Sequence, residues 1–257
     1  MIENELMYKR LRGFIDRGII SKTDKTLVVC GWEFDQQALD SLGFTDFVIT
    51  SMAPSGTPKI KNYRTEDVER LSFADNSFDN VIVHAGLHHC YSPHKAVCEM
   101  YRVAKKNVII FEAQDSFTLR LFSRLGLALD YEVDAVIQSN NTSGGVNNLP
   151  IPNYIYRWTK REIEKLVRSF DPVGEPEIAV VSEFYCNPCH MEGFLKEHII
   201  SKMLGKTAML GLIKISTALL NLFLRSQGNC FTVLVRKDSQ RLHRWMKKTD
   251  KGYEFTG

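Results

Sequence analysis

Apolar residues follow two different rhythms along this chain. Near the start, Leu6, Leu11, Phe14 and Ile15 fall close to one face of a 3.6-residue repeat, which predicts a helix from Glu3 to Arg17. Short apolar runs follow: Thr26–Cys30 (TLVVC), Asp46–Thr50 (DFVIT), Asn80–His84 (NVIVH) and Asn107–Glu112 (NVIIFE), with a weaker one at Ile60–Arg64. Runs nearly free of charge are expected of strands buried on both faces. Helical stretches separate them. One covers Glu33–Ser41; another starts at Ser92-Pro93, read as an N-cap with proline at the first helical position, and runs to about Ala104. Strands alternating with helices imply a mainly parallel sheet covered on both faces. In such sheets ligands bind beyond the carboxyl ends of the strands. The loops after Cys30, Thr50, His84 and Glu112 are therefore where function is to be sought.

The second half is less regular. Leu119–Leu129 reads as a helix, and Asn140–Pro152 as a loop rich in Asn, Gly and Ser. Thr159-Lys-Arg-Glu162 is a capping box opening a helix to about Ser169. Pro176–Tyr185 and Cys230–Arg236 read as two further strands, with the apolar segment Met203–Leu224 between them. No internal repeat or low-complexity tract interrupts the chain.

Composition narrows the class. The 257 residues are 44% hydrophobic and 25% charged, as in a soluble globular protein, and a chain this long needs no metal or disulfide merely to fold. The formal net charge of +3 gives no reason to expect nucleic-acid binding. Six cysteines without the dense spacing of a small secreted scaffold, and an amphipathic start without an apolar signal core, predict a reducing cytoplasm.

Several side chains carry candidate chemistry. Gly31 sits between a strand and a helix, where free N–H groups hold a nucleotide or carboxylate, although an ordinary tight turn also uses one glycine. His84, His88, His89 and His94 with Cys90 are metal-ligating types, but no carboxylate or cysteine pair completes a standard spacing, so no metal is expected. His88 and His89 are the candidate general bases. Cys186-Asn-Pro-Cys189-His190 has the form CxxCH of covalent haem attachment, yet without an export signal it reads as a proline-containing turn with two thiols.

The stretch Glu66–Ile110 carries Asp67, then Leu71-Ser72-Phe73-Ala74-Asp75-Asn76-Ser77-Phe78-Asp79, then Leu87-His88-His89 and a helix containing Glu99-Met100-Tyr101-Arg102-Val103. It resembles the central motifs of class I S-adenosylmethionine-dependent methyltransferases, in the subgroup of small-molecule and lipid-quinone methylases. The resemblance covers about Thr26–Glu112. It implies a Rossmann-like α/β fold with a mainly parallel seven-stranded sheet whose last strand is antiparallel, and S-adenosylmethionine as cofactor. It places Gly31 and Trp32 under the methionine part, Ser51 and Met52 at the ribose position, Asp67 on the adenine amine and Val68 on the adenine ring. His84 and Ala85 fall near the ammonium and sulfonium. Two positions depart from the family: its later motif glycines are Glu33 and Asp35 here, and its acidic ribose anchor is Ser51. Those departures also fit a non-catalytic relative.

One methyltransferase-like domain is expected over 1–257, with an N-terminal helix (1–20), a cofactor-binding core (26–112), an acceptor-side segment (113–170) and an apolar helical insertion (190–226). Within the acceptor-side segment, Asn147, Asn148, Asn153, Tyr154, Tyr156, Arg157 and Trp158 either line an acceptor pocket or pack on the core; Asn148, Tyr154, Tyr156 and Arg157 are the candidate acceptor contacts. The expected reaction is methyl transfer to an O, N or C nucleophile of a small-molecule or lipid-linked acceptor. Met203–Leu224 is long enough to span a bilayer, at roughly 20 residues. Lys206 and Lys214 interrupt it, and a strand of the same sheet follows. It is therefore expected as two short helices, broken near Gly205 and Gly211, that form a lid, a homodimer face or a peripheral membrane contact.

Overall fold

The computed structural model describes residues 5–52, 59–126, 128–186, 205–237 and 241–256. Seven strands form the main sheet: β1 (Thr26–Val29), β2 (Phe47–Ser51), β3 (Tyr63–Thr65), β4 (Phe78–His84), β5 (Ala104–Ala113), β6 (Glu177–Glu183) and β7 (Cys230–Arg236). Their order across the sheet is β3-β2-β1-β4-β5-β7-β6. The first five are parallel, and β7 runs antiparallel to both neighbours. This is the Rossmann-like arrangement expected from the alternation of runs.

Period-two alternation sorts the central strands onto two faces. Leu27, Val81, Val108 and Val235 are register partners on one face, joined by Val29, Val83, Ile110 and Val233. That face packs against Ala96, Val97 and Met100 of helix α3 (Pro93–Val103) and Ile163 and Val167 of α6 (Lys160–Phe170). Val28, Ile82, Ile109 and Leu234 face the other way. They meet Met7, Leu11 and Phe14 of α1 (Glu5–Asp16) and Ala38, Leu39 and Leu42 of α2 (Glu33–Leu42). Both faces are thus dry, which explains why the central strands carry almost no polar residues.

Local signals account for most element ends, and the exceptions have physical reasons. The Thr159/Glu162 capping box forms as read. Ser92 does not cap α3 with its hydroxyl; its backbone N–H instead donates to Glu69 Oε1 at 2.9 Å. The helix expected to reach Leu129 is α4 (Phe117–Arg124), ended by Gly126 at φ +69°. Beyond α4 lies a short helix, α5 (Asp134–Gln138), and the apolar segment forms one helix, α7 (Lys206–Phe223), instead of two. Gly211 lies inside α7; an interior glycine costs only about 1 kcal/mol relative to alanine, too little to break a helix otherwise made of good helix formers. Met203 and Leu204, and Cys189 and His190 of the CxxCH pattern, lie outside the described residues. No helix among the described residues is long and apolar enough to cross a membrane.

One cation fastens the Leu71–Asp75 loop to α3. Arg102 donates to the carbonyls of Leu71 (2.9 Å) and Phe73 (2.8 Å), to Asp75 Oδ1 (2.8 Å) and to both oxygens of Glu99 (2.8 Å). Glu99 in turn accepts the Leu71 N–H at 3.0 Å. Arg102→Ala is expected to lower unfolding free energy by about 1.5–3 kcal/mol in urea titration, since hydrogen bonds to charged groups are worth that much. Arg102→Lys should recover only part of it, because an ammonium lacks the planar fork.

Candidate active site

The carboxyl edge of the sheet carries the polar groups. At the end of β1 the chain turns sharply: Cys30 has φ +52°, and the Gly31 N–H donates to Thr50 O at 2.9 Å. A Cβ at Gly31 would lie 2.8 Å from side-chain carbons of both Ile49 and Val28, so sheet packing alone requires glycine there. Asp35 is fully buried in the first turn of α2. Its Oδ2 accepts the Trp32 N–H at 2.7 Å, and its Oδ1 lies 3.5 Å from His84 Nδ1 at the end of β4. At the end of β2, the Ser51 and Tyr63 hydroxyls are 2.9 Å apart. After β3, Asp67 opens a 3-10 turn and accepts the Glu69 N–H through Oδ1 at 2.8 Å, with Val68 buried beside it.

Past His84 the backbone reverses at Ala85, φ +50°, whose N–H donates to Phe111 O. Gly86 then passes close to β1, and Leu87–His89 form a 3-10 turn. Glu112, buried at the end of β5, accepts the Leu87 N–H at 2.6 Å and lies 2.9 Å from His88 Nδ1. On the opposite side of His88, Nε2 is 3.2 Å from Glu132 Oε2, which is also 3.4 Å from His89 Nε2. Tyr131–Glu132 pairs with Asn153–Tyr154 as a two-residue ribbon, so Glu132 and Asn153 stand opposite each other and aim at the same place. Asn153 Nδ2 donates to His88 O at 3.2 Å and to Glu132 Oε2 at 3.4 Å. Gly145 O accepts from His89 Nδ1 at 3.4 Å.

Proximity splits the two imidazoles. Burial alone would lower the His88 pKa, but Glu112 and Glu132 on either side push it up to about 10. His89 is lowered, by burial and by the neighbouring His88. Burial would raise Glu132, yet the hydrogen bond from His88 and the charge of both histidines bring it down to about 2. Beneath them the Cys90 thiol is pushed up by a hydrogen bond with Cys30 and by burial.

Residues 36–111 match the family model described as "Methyltransferase domain". That stretch runs from the first turn of α2 to the end of β5, and so over the strands whose carboxyl ends carry the site. No curated protein matches this chain. Among solved structures, a protein assigned as a methyltransferase of an antibiotic biosynthesis pathway in Anabaena variabilis aligns with a TM-score of 0.50 and 12% identity, covering 90% of this chain and 97% of that one; it shares the fold. Magnesium protoporphyrin IX methyltransferase from Synechocystis, with S-adenosylhomocysteine bound, aligns at TM-score 0.49 and 9% identity over 92% and 84% of the two chains. A methyltransferase from Archaeoglobus fulgidus aligns at 0.48 and 13% identity over 91% and 94%.

The donor set at the carboxyl edge fits S-adenosylmethionine, the cofactor that the resemblance implies. The buried Asp35 and the exposed Glu33 put negative charge beside the turn where the resemblance places the methionine end, a charge that would suit a cationic sulfonium and ammonium. The Ser51–Tyr63 hydroxyl pair would offer a ribose a donor and an acceptor, and Asp67 would offer an adenine amine a carboxylate. Trp32, Met52, His84 and Ala85 all lie on this edge. The acceptor-side residues are placed unevenly. Asn148 ties its loop to the cofactor side: its amide donates to Met52 O, and its Oδ1 accepts the Gly144 N–H. Arg157 pairs with Asp130 at 2.7 Å, and the Tyr156 hydroxyl donates to Glu162. Tyr154 is 53% exposed and packs on Tyr131. The groups that reach the histidines are Glu132, Asn153 and Gly145. Sequence reasoning missed Glu132, which sits in no motif, and Glu112, which looked like the end of a strand.

The turn at Gly86 has no room for a side chain. A Cβ there would lie 2.4 Å from the Cys30 Cβ. Gly86→Ala is expected to destabilise the protein by about 1–3 kcal/mol, the usual cost of overpacking, as read by urea unfolding. Cys30→Ala keeps the clashing atom and should not rescue it. Cys30→Gly should, because it removes that atom and suits the positive φ.

Proposed function

We propose that this methyltransferase transfers a methyl group to a hydroxyl of a small acceptor with a large apolar or lipid-linked part. The observation that carries the hydroxyl assignment is the convergence of His88, His89, Glu132 and Asn153 at the carboxyl end of β4. A neutral hydroxyl is a weak nucleophile, and its attack is helped by a group within reach of its proton. A tertiary amine has no proton to lose and needs no such group.

The apolar part of the proposal rests on topology. Glu183 pairs with Cys230, and Cys230 with Ala113, so the segment between β6 and β7 leaves and re-enters the sheet at the carboxyl edge, beside the histidines. Helix α7 in that segment exposes Leu212, Ile215, Leu219, Leu222 and Phe223. Helix α4, also at this edge, exposes Phe117, Leu121 and Leu125 at one-turn intervals. The two are joined through Gln227, which accepts from the Phe117 N–H and the Thr118 hydroxyl. An apolar surface of this extent at the mouth of a polar site suits an acceptor with a long apolar body.

When bound, S-adenosylmethionine supplies the electrophilic methyl carbon. The chain's part is alignment: Asp67 holds the adenine end of the cofactor, the buried Asp35 fixes the Trp32 turn beside the methionine end, and Glu112 fixes the histidine turn that faces the acceptor. Calorimetry with S-adenosylhomocysteine should show binding to the wild type. Asp67→Ala should weaken it by about 1–3 kcal/mol, the cost of one lost buried partner. Equal affinities would remove the adenine assignment, and no binding to wild type would leave a non-catalytic relative. Incubation with methyl-labelled S-adenosylmethionine and a panel of hydroxyl-bearing and amine-bearing lipids should place label in an ether; label in an amine would overturn the hydroxyl assignment.

A further inference from the structure

Two imidazoles and a carboxylate point their electron-rich atoms at one another beside the acceptor position. His88 Nε2 and His89 Nε2 lie 3.2 and 3.4 Å from the same oxygen, Glu132 Oε2, and these three ligand atoms all fall within 4.8 Å of one another. The other ring nitrogens are already engaged. His88 Nδ1 meets the buried Glu112 carboxylate at 2.9 Å, and His89 Nδ1 meets Gly145 O at 3.4 Å. A carbonyl and a carboxylate only accept, so both rings donate from Nδ1, and a neutral ring turns its Nε2 lone pair toward Glu132. A metal ion would stand where a proton on His88 Nε2 otherwise joins that ring to Glu132 Oε2, and would also take the His89 lone pair. We propose that His88, His89 and Glu132 bind one divalent transition-metal ion of the zinc class at the acceptor end of the crevice.

Four features of the site agree with that assignment. Zinc–nitrogen and zinc–oxygen bonds of about 2.0–2.2 Å in a tetrahedron put neighbouring ligand atoms about 3.3 Å apart, which is the spacing of the two measured edges. Imidazole with one carboxylate selects zinc, cobalt or ferrous iron over magnesium and calcium. The outer partners are those of a built metal site: Glu112 orients His88, Gly145 O orients His89, and Asn153 Nδ2 steadies Glu132. Lastly, Asn153 Oδ1 is buried and has no hydrogen-bond partner among the described residues. A water or hydroxyl bound to the ion is the donor it lacks.

Three protein ligands leave a tetrahedral ion one open position. That is the arrangement of a metal that acts on a bound molecule and not merely on the fold. Resting on the acceptor assignment above, the ion would take the acceptor oxygen there and lower its pKa as a Lewis acid. Its presence would also explain why the chain places two histidines in succession at this turn, where one suffices to satisfy Glu112.

The full-length protein, stripped with a chelator and dialysed, should take up one equivalent of Zn2+ per chain. With Co2+ it should develop the intense visible absorption of a four-coordinate ion. Glu132→Gln and His89→Gln should abolish uptake, and Glu112→Gln should weaken it by about 10–100-fold, as outer-partner changes do. His94→Gln, altered in a histidine that pairs with Glu162 away from the cluster, should bind like wild type. No stoichiometric uptake, or uptake unchanged in Glu132→Gln and His89→Gln, would overturn the proposal. If a variant unfolds, the wild-type Co2+ spectrum decides, because a pale six-coordinate spectrum also overturns it. Calorimetry with S-adenosylhomocysteine on the metal-free protein keeps the two readings apart: cofactor binding without metal uptake sinks only the metal site.

Discussion

The carboxylate of Glu112 is the constraint on which the rest of the site depends. It is only 4% exposed, at the carboxyl end of a strand buried on both faces. A charge in that position is costly unless it is fully hydrogen-bonded and paired, and here both oxygens are used, one by the Leu87 N–H and one by His88. The turn after β4 is therefore held in place by electrostatics as much as by its own backbone. The His88 carbonyl then receives Asn153, and the His88 ring receives Glu132. Through one carboxylate, a strand end, a turn and the 130–158 segment become a single unit.

The cofactor side solves a related problem with different chemistry. A glycine-rich loop of the usual kind leaves helix N–H groups free for a ligand. Here the chain supplies its own carboxylate, Asp35, which is buried against the turn and close to His84. Under the proposed cofactor placement, the edge beside the methionine end would carry negative charge where a glycine-rich loop would offer amide donors. Ser51 with Tyr63 follows the same logic, two neutral hydroxyls replacing an acid.

Much of this architecture was legible in the sequence. Runs nearly free of charge such as NVIVH and NVIIFE gave strands with both faces buried, and the Thr159/Glu162 box opened its helix where read. Strand β7 runs from Cys230 to Arg236, as its composition indicated. The turn at His88 and His89 was legible as a motif. Its partners were not, because Glu132 lies more than forty residues away and reaches the cluster only through a two-residue ribbon with Asn153. Ribbons that short leave no periodic trace. The tyrosines near Asn153 were more conspicuous than the amide itself, yet Tyr156 and Arg157 are spent on Glu162 and Asp130. Single polar residues inside a loop carry no signal of which neighbour they face. The end of α7 shows a different limit: one interior glycine weakens a helix without determining where it stops.

The hydrogen-bonded pairing of Glu183 with Cys230 means that the chain enters and leaves the 184–229 excursion at adjacent points of one ladder. Closing a loop costs little more as it lengthens, so such a segment can grow, shrink or be exchanged without disturbing the seven strands. Since both of its ends open at the carboxyl edge, each exchange would alter what sits over the mouth while leaving Glu112, Asp35 and Asp67 untouched. The scaffold thereby separates the strands that carry the candidate site from the stretch over its mouth, so that the two can change independently.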